Sequence, residues 1–407
     1  MISLNALDRG TGVRRWFLNR AGGLLAAAAI ASETVMALFT RIRFSEGRVD
    51  GGRVVMRHGV PLAEISGNPA ALGTSAGTLF RRQLGPLLRL MGMHPPLIVS
   101  ILTGRMVPLA GSIPAHYRAE LAAMAAAAGV SEDTLVKANL VVDTCCSALV
   151  RAGDHTSGRP LVVARNMDFY PAAILGPASV VAVVRPLGRH AFASITWPGY
   201  AGVISGLNAP GVCACILLNY GSHGIRPGTP IGFRAREVLE NADDLESAAR
   251  CFAASPVASS HYLLLADDHG AAVVWEDQAG FHRHDLHEGW LACSNGVRDA
   301  TTPLAIDDRG RCLRGLSASA PEALDRNEPW MRRTMTASYL RGINTQAMLF
   351  IPAQRRLQLA VGTGSRAAAL SPWLEVDLAQ VLAGSPLAEA PVRMWDPVAQ
   401  PAHHYTD

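Results

Sequence analysis

The chain carries few charges and few aromatic rings, and it has no concentrated run of either sign. Of its 407 residues, 17% are charged and 6% aromatic, and the 37 basic and 33 acidic side chains leave a net charge of +4. Without a Lys/Arg block or an RNA-binding signature, nucleic acid is not an expected partner. The seven cysteines, at 145, 146, 213, 215, 251, 293 and 312, lack the regular spacing of a disulfide framework. Internal repeats are absent, and low complexity is confined to alanine-rich patches. What is abundant is apolar material: at 49% hydrophobic residues the chain can build a large core, as one large domain or two modest ones.

The first 44 residues stand apart. Val13-Arg-Arg-Trp-Phe-Leu-Asn19 precedes an apolar stretch, Ala21 to Ala31, which closes on the small residues Ala29-Ile-Ala31. That order matches a twin-arginine export signal leading to the periplasm. The alternative is an apolar helix running through Phe39 in a cytoplasmic protein, because Glu33 interrupts the run and the stretch is short for a membrane span. Both readings stay open, and the N-terminus is the segment through which the chain could associate with a membrane.

Residues 45–145 read as a helical pro-segment. Ala70 to Leu90, Leu97 to Leu109 and Ala115 to Ala128 are rich in Ala, Leu, Met and Arg with apolar residues at helical spacing, and Ser131 caps a further helix through Asn139. From Cys146 to the end, residues 146–407, the texture is that of a sheet. Val180–Val184, His190–Thr196, Gly211–Leu218, Tyr262–Ala266, Ala271–Trp275, Ala347–Ile351 and Leu357–Val361 are short β-prone runs bounded by Gly, Pro, Asn or Asp. Helices are expected at Phe233 to Asn241 and Leu245 to Ala254. The pattern is α+β.

Cys146 heads one apolar run, Ala148-Leu-Val-Arg151, and the next run, Pro160 to Ala164, leads into Arg165-Asn-Met-Asp168. The polar turn between them, Ala152 to Gly158, predicts a hairpin that lays Cys146 near Arg165 and Asp168. A cysteine nucleophile needs a base and donors for the oxyanion formed when it attacks a carbonyl. If the Cys145–Cys146 bond is cut, the new α-amine, titrating near pH ~8, can take the thiol proton, and no histidine is required. Arg165 can then stabilise the thiolate or hold a substrate carbonyl, and the Asp168 carboxylate can orient the amine.

These residues resemble the cysteine N-terminal-nucleophile (Ntn) hydrolases, the superfamily of choloylglycine hydrolases, acid ceramidase and the penicillin acyltransferase-like peptidases. Cys146-Ser-Ala, Arg165-Asn-Met-Asp168, and Trp197-Pro-Gly-Tyr-Ala-Gly-Val-Ile-Ser-Gly-Leu-Asn208 followed by Pro210-Gly211 carry the resemblance. Ala63-Glu-Ile-Ser-Gly67 and Tyr117-Arg-Ala-Glu-Leu-Ala-Ala-Met124 add the penicillin acyltransferase-like branch. The resemblance implies a four-layer αββα sandwich of two antiparallel sheets, self-cleavage between Cys145 and Cys146, and attack by Cys146 on an N-acyl amide, a small-molecule substrate, with no cofactor or metal. It further implies oxyanion donors at Asn208 and Asn295, and a later arginine that is Arg309 or Arg311. Cys145 departs from the small residue that precedes the nucleophile in many relatives, so either cysteine could attack. Cys-Ser followed by a small residue favours Cys146.

Two other chemistries compete. Gly73-Thr-Ser-Ala-Gly77 has the form of a serine-hydrolase elbow around Ser75, but that elbow follows a strand, and Glu64 to Leu72 reads as turn then helix. His282, His284 and His287 alternate as strand neighbours do, yet no ligand at a recognisable spacing follows, so a solvated strand edge is expected rather than a metal site. A non-catalytic protein that keeps the fold without processing is the remaining alternative. Met167, Phe169, Tyr170 and Trp197 are the apolar residues expected beside an acyl group.

Overall fold

The computed structural model describes residues 42–92, 106–140, 145–152, 159–220, 226–297, 307–319, 328–363 and 365–398. The export-like segment, most of the expected helix at 97–109 and the hairpin turn at 153–158 lie outside them. Two sheets are present among the described residues. The larger runs, in spatial order, through β1 (Gly47–Val49), β2 (Gly52–Arg57), β3 (Val60–Gly67), β6 (Val180–Pro186), β7 (Phe192–Thr196), β8 (Ser205–Asn208), β9 (Cys213–Tyr220), β10 (His261–Ala266), β11 (Ala271–Asp277) and β12 (Gly280–Asp285), with the short β14 (Gly296–Val297) on β9. The smaller has the order β13 (Trp290–Ser294), β4 (Cys145–Arg151), β5 (Val162–Asp168), β15 (Asn344–Ile351), β16 (Arg356–Val361), β17 (Trp373–Asp377) and β18 (Val392–Trp395).

The expected hairpin is there: β4 pairs antiparallel with β5, Cys145 opposite Asp168 and Cys146 opposite Met167. The strands alternate between two cores, as the period of two requires. Cys146, Ala148, Val150, Val163 and Met167 join the core shared with the large sheet, while Leu149, Val162 and Ala164 join a second core with Leu313, Met331 and Met335 of the helices Asp308–Ser319 and Glu328–Ser338. Helices Pro69–Leu79, Ala115–Ala128, Ile231–Asn241 and Leu245–Ala253 cover the large sheet. The layering is helix, sheet, sheet, helix, the α+β arrangement expected.

The front part departs from the sequence reading. Residues 47–67 form three strands, and β3 continues the large sheet by pairing parallel with β6. The intervening helices make the crossover that a parallel pair needs. The single helix expected from 70 to 90 is two, Pro69–Leu79 and Arg81–Gly92, separated at Phe80. A strand does precede Gly73-Thr-Ser-Ala-Gly77, yet Ser75 lies inside the helix, buried, donating to the Asp50 carbonyl at 2.7 Å. The two glycines serve packing: a Cβ on Gly73 would stand 2.1 Å from the Glu120 carbonyl oxygen, and one on Gly77 2.3 Å from that of Met124. Ser75 therefore belongs to a helix contact, not to an elbow. No helix among the described residues is long and apolar enough to cross a membrane.

Candidate active site

Cys146 sits fully buried at the start of β4, facing the large sheet, and Arg165 shares that face from β5. The Arg165 guanidinium crosses the gap between the sheets. One terminal nitrogen donates to the Ile204 carbonyl at 2.6 Å and to Ser205 Oγ at 2.7 Å; the other reaches Cys146 Sγ at 2.9 Å and the Ile216 carbonyl at 2.5 Å. Burial works against its charge, and the thiols of Cys146 and Cys215 outweigh burial and raise its pKa. A buried guanidinium needs hydrogen bonds, and here carbonyls, a hydroxyl and sulfur supply them instead of carboxylates.

Asp168, three residues on, points to the opposite face, because an odd separation along a strand changes sides. Its Oδ2 accepts from Arg309 Nη1 at 2.9 Å, and its Oδ1 from Asn344 Nδ2 at 2.8 Å and the Leu340 amide at 3.2 Å. Burial pushes the carboxyl up to about 6, against the pull of Arg309. Arg309 also donates to Asn295 Oδ1 at 2.7 Å, and that oxygen accepts the Cys146 amide at 2.5 Å. Asn295 Nδ2 in turn donates to the Leu218 carbonyl at 2.7 Å. Asp168 thus connects to the nucleophile's nitrogen through Arg309 and Asn295, where a direct contact was expected.

The choice between the two later arginines is decided by burial. Arg309 is 3% exposed and joins the cluster, whereas the Arg311 side chain is 63% exposed and pairs with Asp308. Cys145 opens β4 opposite Asp168, with residues 141–144 before it outside the described chain.

Asn208 is not brought to the site. Its Nδ2 donates to the Leu239 and Ala242 carbonyls at 3.0 and 2.7 Å, and its Oδ1 accepts the Gly211 and Val212 amides at 3.0 and 2.7 Å. All its polar capacity fastens the β8–β9 turn to the end of helix Ile231–Asn241. Asn219, which sequence reasoning missed, lies beside the cluster instead. It follows Leu218, the residue bonded by Asn295, and lies opposite Gly296. It is 2% exposed, and both its amide atoms are buried without a hydrogen-bond partner among the described residues. The signal was available in Cys213-Ala-Cys-Ile-Leu-Leu-Asn219: period two puts Asn219 on the face of Cys215, which touches Arg165.

Phe169, just after Asp168, stacks on Trp197 with ring centroids 5.7 Å apart. With Leu87, Leu88, Leu175 and Pro198 they line an apolar pocket that also touches Ala138 and Asn139 of the helix leading to Cys146. Met167 is buried beside Cys146 in the sheet instead, and Tyr170 does not line this pocket. The histidines lie on or just past edge strand β12, where His282 bonds Asp277 at 2.7 Å and stacks on Trp275. Among the described residues, no group of three or more His, Cys, Asp or Glu side chains is placed to hold a metal.

Residues 154–304 match the family of acyl-coenzyme A:6-aminopenicillanic acid acyl-transferase. The penicillin acyltransferase-like resemblance holds over that stretch. A Dictyostelium discoideum relative, protein dcd1A, is 23% identical over 150 residues, 33% of this chain and 34% of that protein, so the chain spans about a third of its length. Among solved structures, the chain is similar to a Caenorhabditis elegans ortholog of N-acylethanolamine-hydrolyzing acid amidase, at 17% identity and TM-score 0.43 over 51% of this chain and 93% of that one. It is also similar to a mutant of conjugated bile acid hydrolase from Clostridium perfringens, at 10% identity and TM-score 0.38 over 62% and 96%. Penicillin V acylase from Agrobacterium tumefaciens matches at 14% identity and TM-score 0.34 over 57% and 92%.

Proposed function

We propose that this protein is a self-processing cysteine Ntn amidase that opens a linear N-acyl amide through a thioester on Cys146. The observation that carries the reading is the double hold on one residue: Arg165 at 2.9 Å from the Cys146 sulfur and Asn295 Oδ1 at 2.5 Å from its nitrogen. A structural cysteine needs an acceptor for its buried amide but no guanidinium on its sulfur.

Cutting the Cys145–Cys146 bond turns that nitrogen into an α-amine already held by Asn295, which Arg309 holds in turn. The neutral amine takes the thiol proton, and the thiolate beside Arg165 attacks the substrate carbonyl. The amide nitrogen of Asn219, buried and unspent, is the donor for the developing oxyanion. Collapse of the tetrahedral adduct expels the amine, protonated by the Cys146 ammonium, and leaves the thioester. Water then releases a carboxylic acid, or an acceptor amine takes the acyl group, as the matched acyl-transferase family name describes. The apolar pocket around Phe169 and Trp197 suits an acyl chain or an aromatic acid.

Intact mass and N-terminal sequencing of the wild type beside Cys146→Ala test the reading. Two fragments, the larger starting at Cys146, are expected from the wild type and one uncut chain from the variant. A single chain from both removes the processing step, and with it the amine base.

A further inference from the structure

The notch that receives Arg165 is built by a pair of residues with no role in the scheme above. Ser205 on β8 and Cys215 on β9 are directly opposite each other in the antiparallel register, so their side chains share one face. The flanking carbonyls of Ile204 and Ile216 complete the notch, and both accept from the guanidinium. Ser205 Oγ lies 2.7 Å from Arg165, and the Cys215 thiol is within hydrogen-bonding reach of both Arg165 and Ser205. All of these groups are buried.

We infer that Ser205 and Cys215 are positioning residues that aim the Arg165 guanidinium at Cys146 Sγ, with Cys215 a second thiol sharing the same cation. The inference rests on the reading of Cys146 as the nucleophile. A guanidinium with five donors in a fixed plane is oriented by the acceptors it meets, and two backbone carbonyls alone leave it free to rotate toward either sulfur. The cross-strand pair fixes the plane so that one nitrogen is left for Cys146. Cys215 is more than packing: burial opposes its ionisation, yet the contacts with Cys213, Arg165 and Ser205 bring the thiol down to about 7. The titratable or charged groups that face this cation are Cys146 from β4, Cys293 from β13 and Cys213 and Cys215 from β9; β10 presents Leu264 opposite Cys215.

The experiment follows alkylation of Cys146 by iodoacetamide, located by peptide mass mapping, from pH 6 to 9 in the full-length chain. Wild type is compared with Ser205→Ala, Cys215→Ala and Cys215→Ser, all close to the native volume. Both alanine variants are expected to slow alkylation of Cys146 at neutral pH about tenfold and to move its pH profile upward, as loss of an aligned opposite charge does. Cys215→Ser, which keeps an acceptor for Arg165, is expected to recover most of the rate. Melting temperatures near wild type in Ser205→Ala show that the loss is local; should Cys215→Ala unfold, Ser205→Ala and Cys215→Ser still decide. Wild-type profiles in both alanine variants overturn the inference. The probe needs no substrate, so a wild type that turns over no amide refutes the amidase reading while the alkylation profiles still judge the positioning of Arg165.

Discussion

Two arginines serve Cys146 from opposite faces of one sheet, and they are neutralised differently. Arg309, on the helix-covered side, meets two carboxylates, Asp168 at 2.9 Å and Asp307 at 2.5 Å, before it reaches Asn295. Arg165, between the sheets, meets two carbonyls, a hydroxyl and the Cys146 and Cys215 sulfurs. A cation matched by carboxylates orients its neighbours and adds little field at the reacting atoms. A cation matched by neutral acceptors keeps its charge for the thiolate or for an oxyanion. The outer cluster therefore reaches the nitrogen of Cys146 and the inner one its sulfur.

Removing Arg309 should break the outer half most severely. Arg309→Met leaves Asp168, 1% exposed, as an uncompensated buried charge, a change that costs about 3–5 kcal/mol. Urea unfolding is expected to show that loss, and the double variant Arg309→Met/Asp168→Leu should regain much of it while still failing to process. If the single variant unfolds like wild type, the outer cluster is not the structural member of the pair.

The inner half should fail in rate instead. Arg165→Met is expected to lower kcat roughly 100- to 1000-fold, the range for removing a preorganised electrostatic donor. Arg165→Lys should not rescue it, because an ammonium cannot reach the Ile204 and Ile216 carbonyls, Ser205 and Cys146 at once. Single-turnover acylation with a chromogenic N-acyl amide separates this from a binding defect. A Lys variant with native kcat would mean that charge alone, without the fork, suffices.

The comparison also predicts a pH dependence of the outer cluster below pH ~7. Burial lifts the Asp168 carboxyl to about 6 from an ordinary 3.8. The native state therefore keeps a proton that the unfolded chain has already released, so this group's contribution to stability falls as pH rises from about 4 to about 6 and is constant above. The difference amounts to about 3 kcal/mol. Denaturant unfolding from pH 4 to 7 should show that decline in wild type and a flatter course in Asp168→Asn. Turnover should fall below about pH 6, where protonated Asp168 loosens Arg309. Equal slopes in both proteins would place the titration elsewhere.

How far the sequence disclosed this depends on which interactions decide each element. The β4–β5 hairpin was legible because apolar runs flank a polar turn, and the helices at 115–128 and 132–139 because alanine-rich periodicity and Ser131 mark them. The strands at 47–67 were missed because they are short and precede a helix-rich stretch, and their place in the sheet comes from β6, more than a hundred residues on. The helices 308–319 and 328–338 are polar and arginine-rich, with weak apolar stripes. Arg309 and Arg311 are equivalent in local sequence, and only tertiary burial separates them. The opposite facing of Arg165 and Asp168 was readable from their spacing of three, but an expectation of one shared amine contact hid it.

The two asparagines offer the finest test of the division between holding and reacting. Asn208 makes four hydrogen bonds to backbone, and Asn219 makes none through its side chain among the described residues. Asn208→Ala should leave kcat within about twofold and cost about 1–3 kcal/mol of stability, the usual toll of orphaning buried backbone groups. Asn219→Ala should do the reverse, with melting near wild type or above it, since a buried unsatisfied amide is removed, and kcat lowered about 100-fold. The sign of the melting shift is the sharper readout, because a merely structural asparagine lowers stability on truncation whereas one kept for an oxyanion does not. A destabilised, fully active Asn219→Ala would return the oxyanion to Arg165 alone and leave Asn219 as a packing residue.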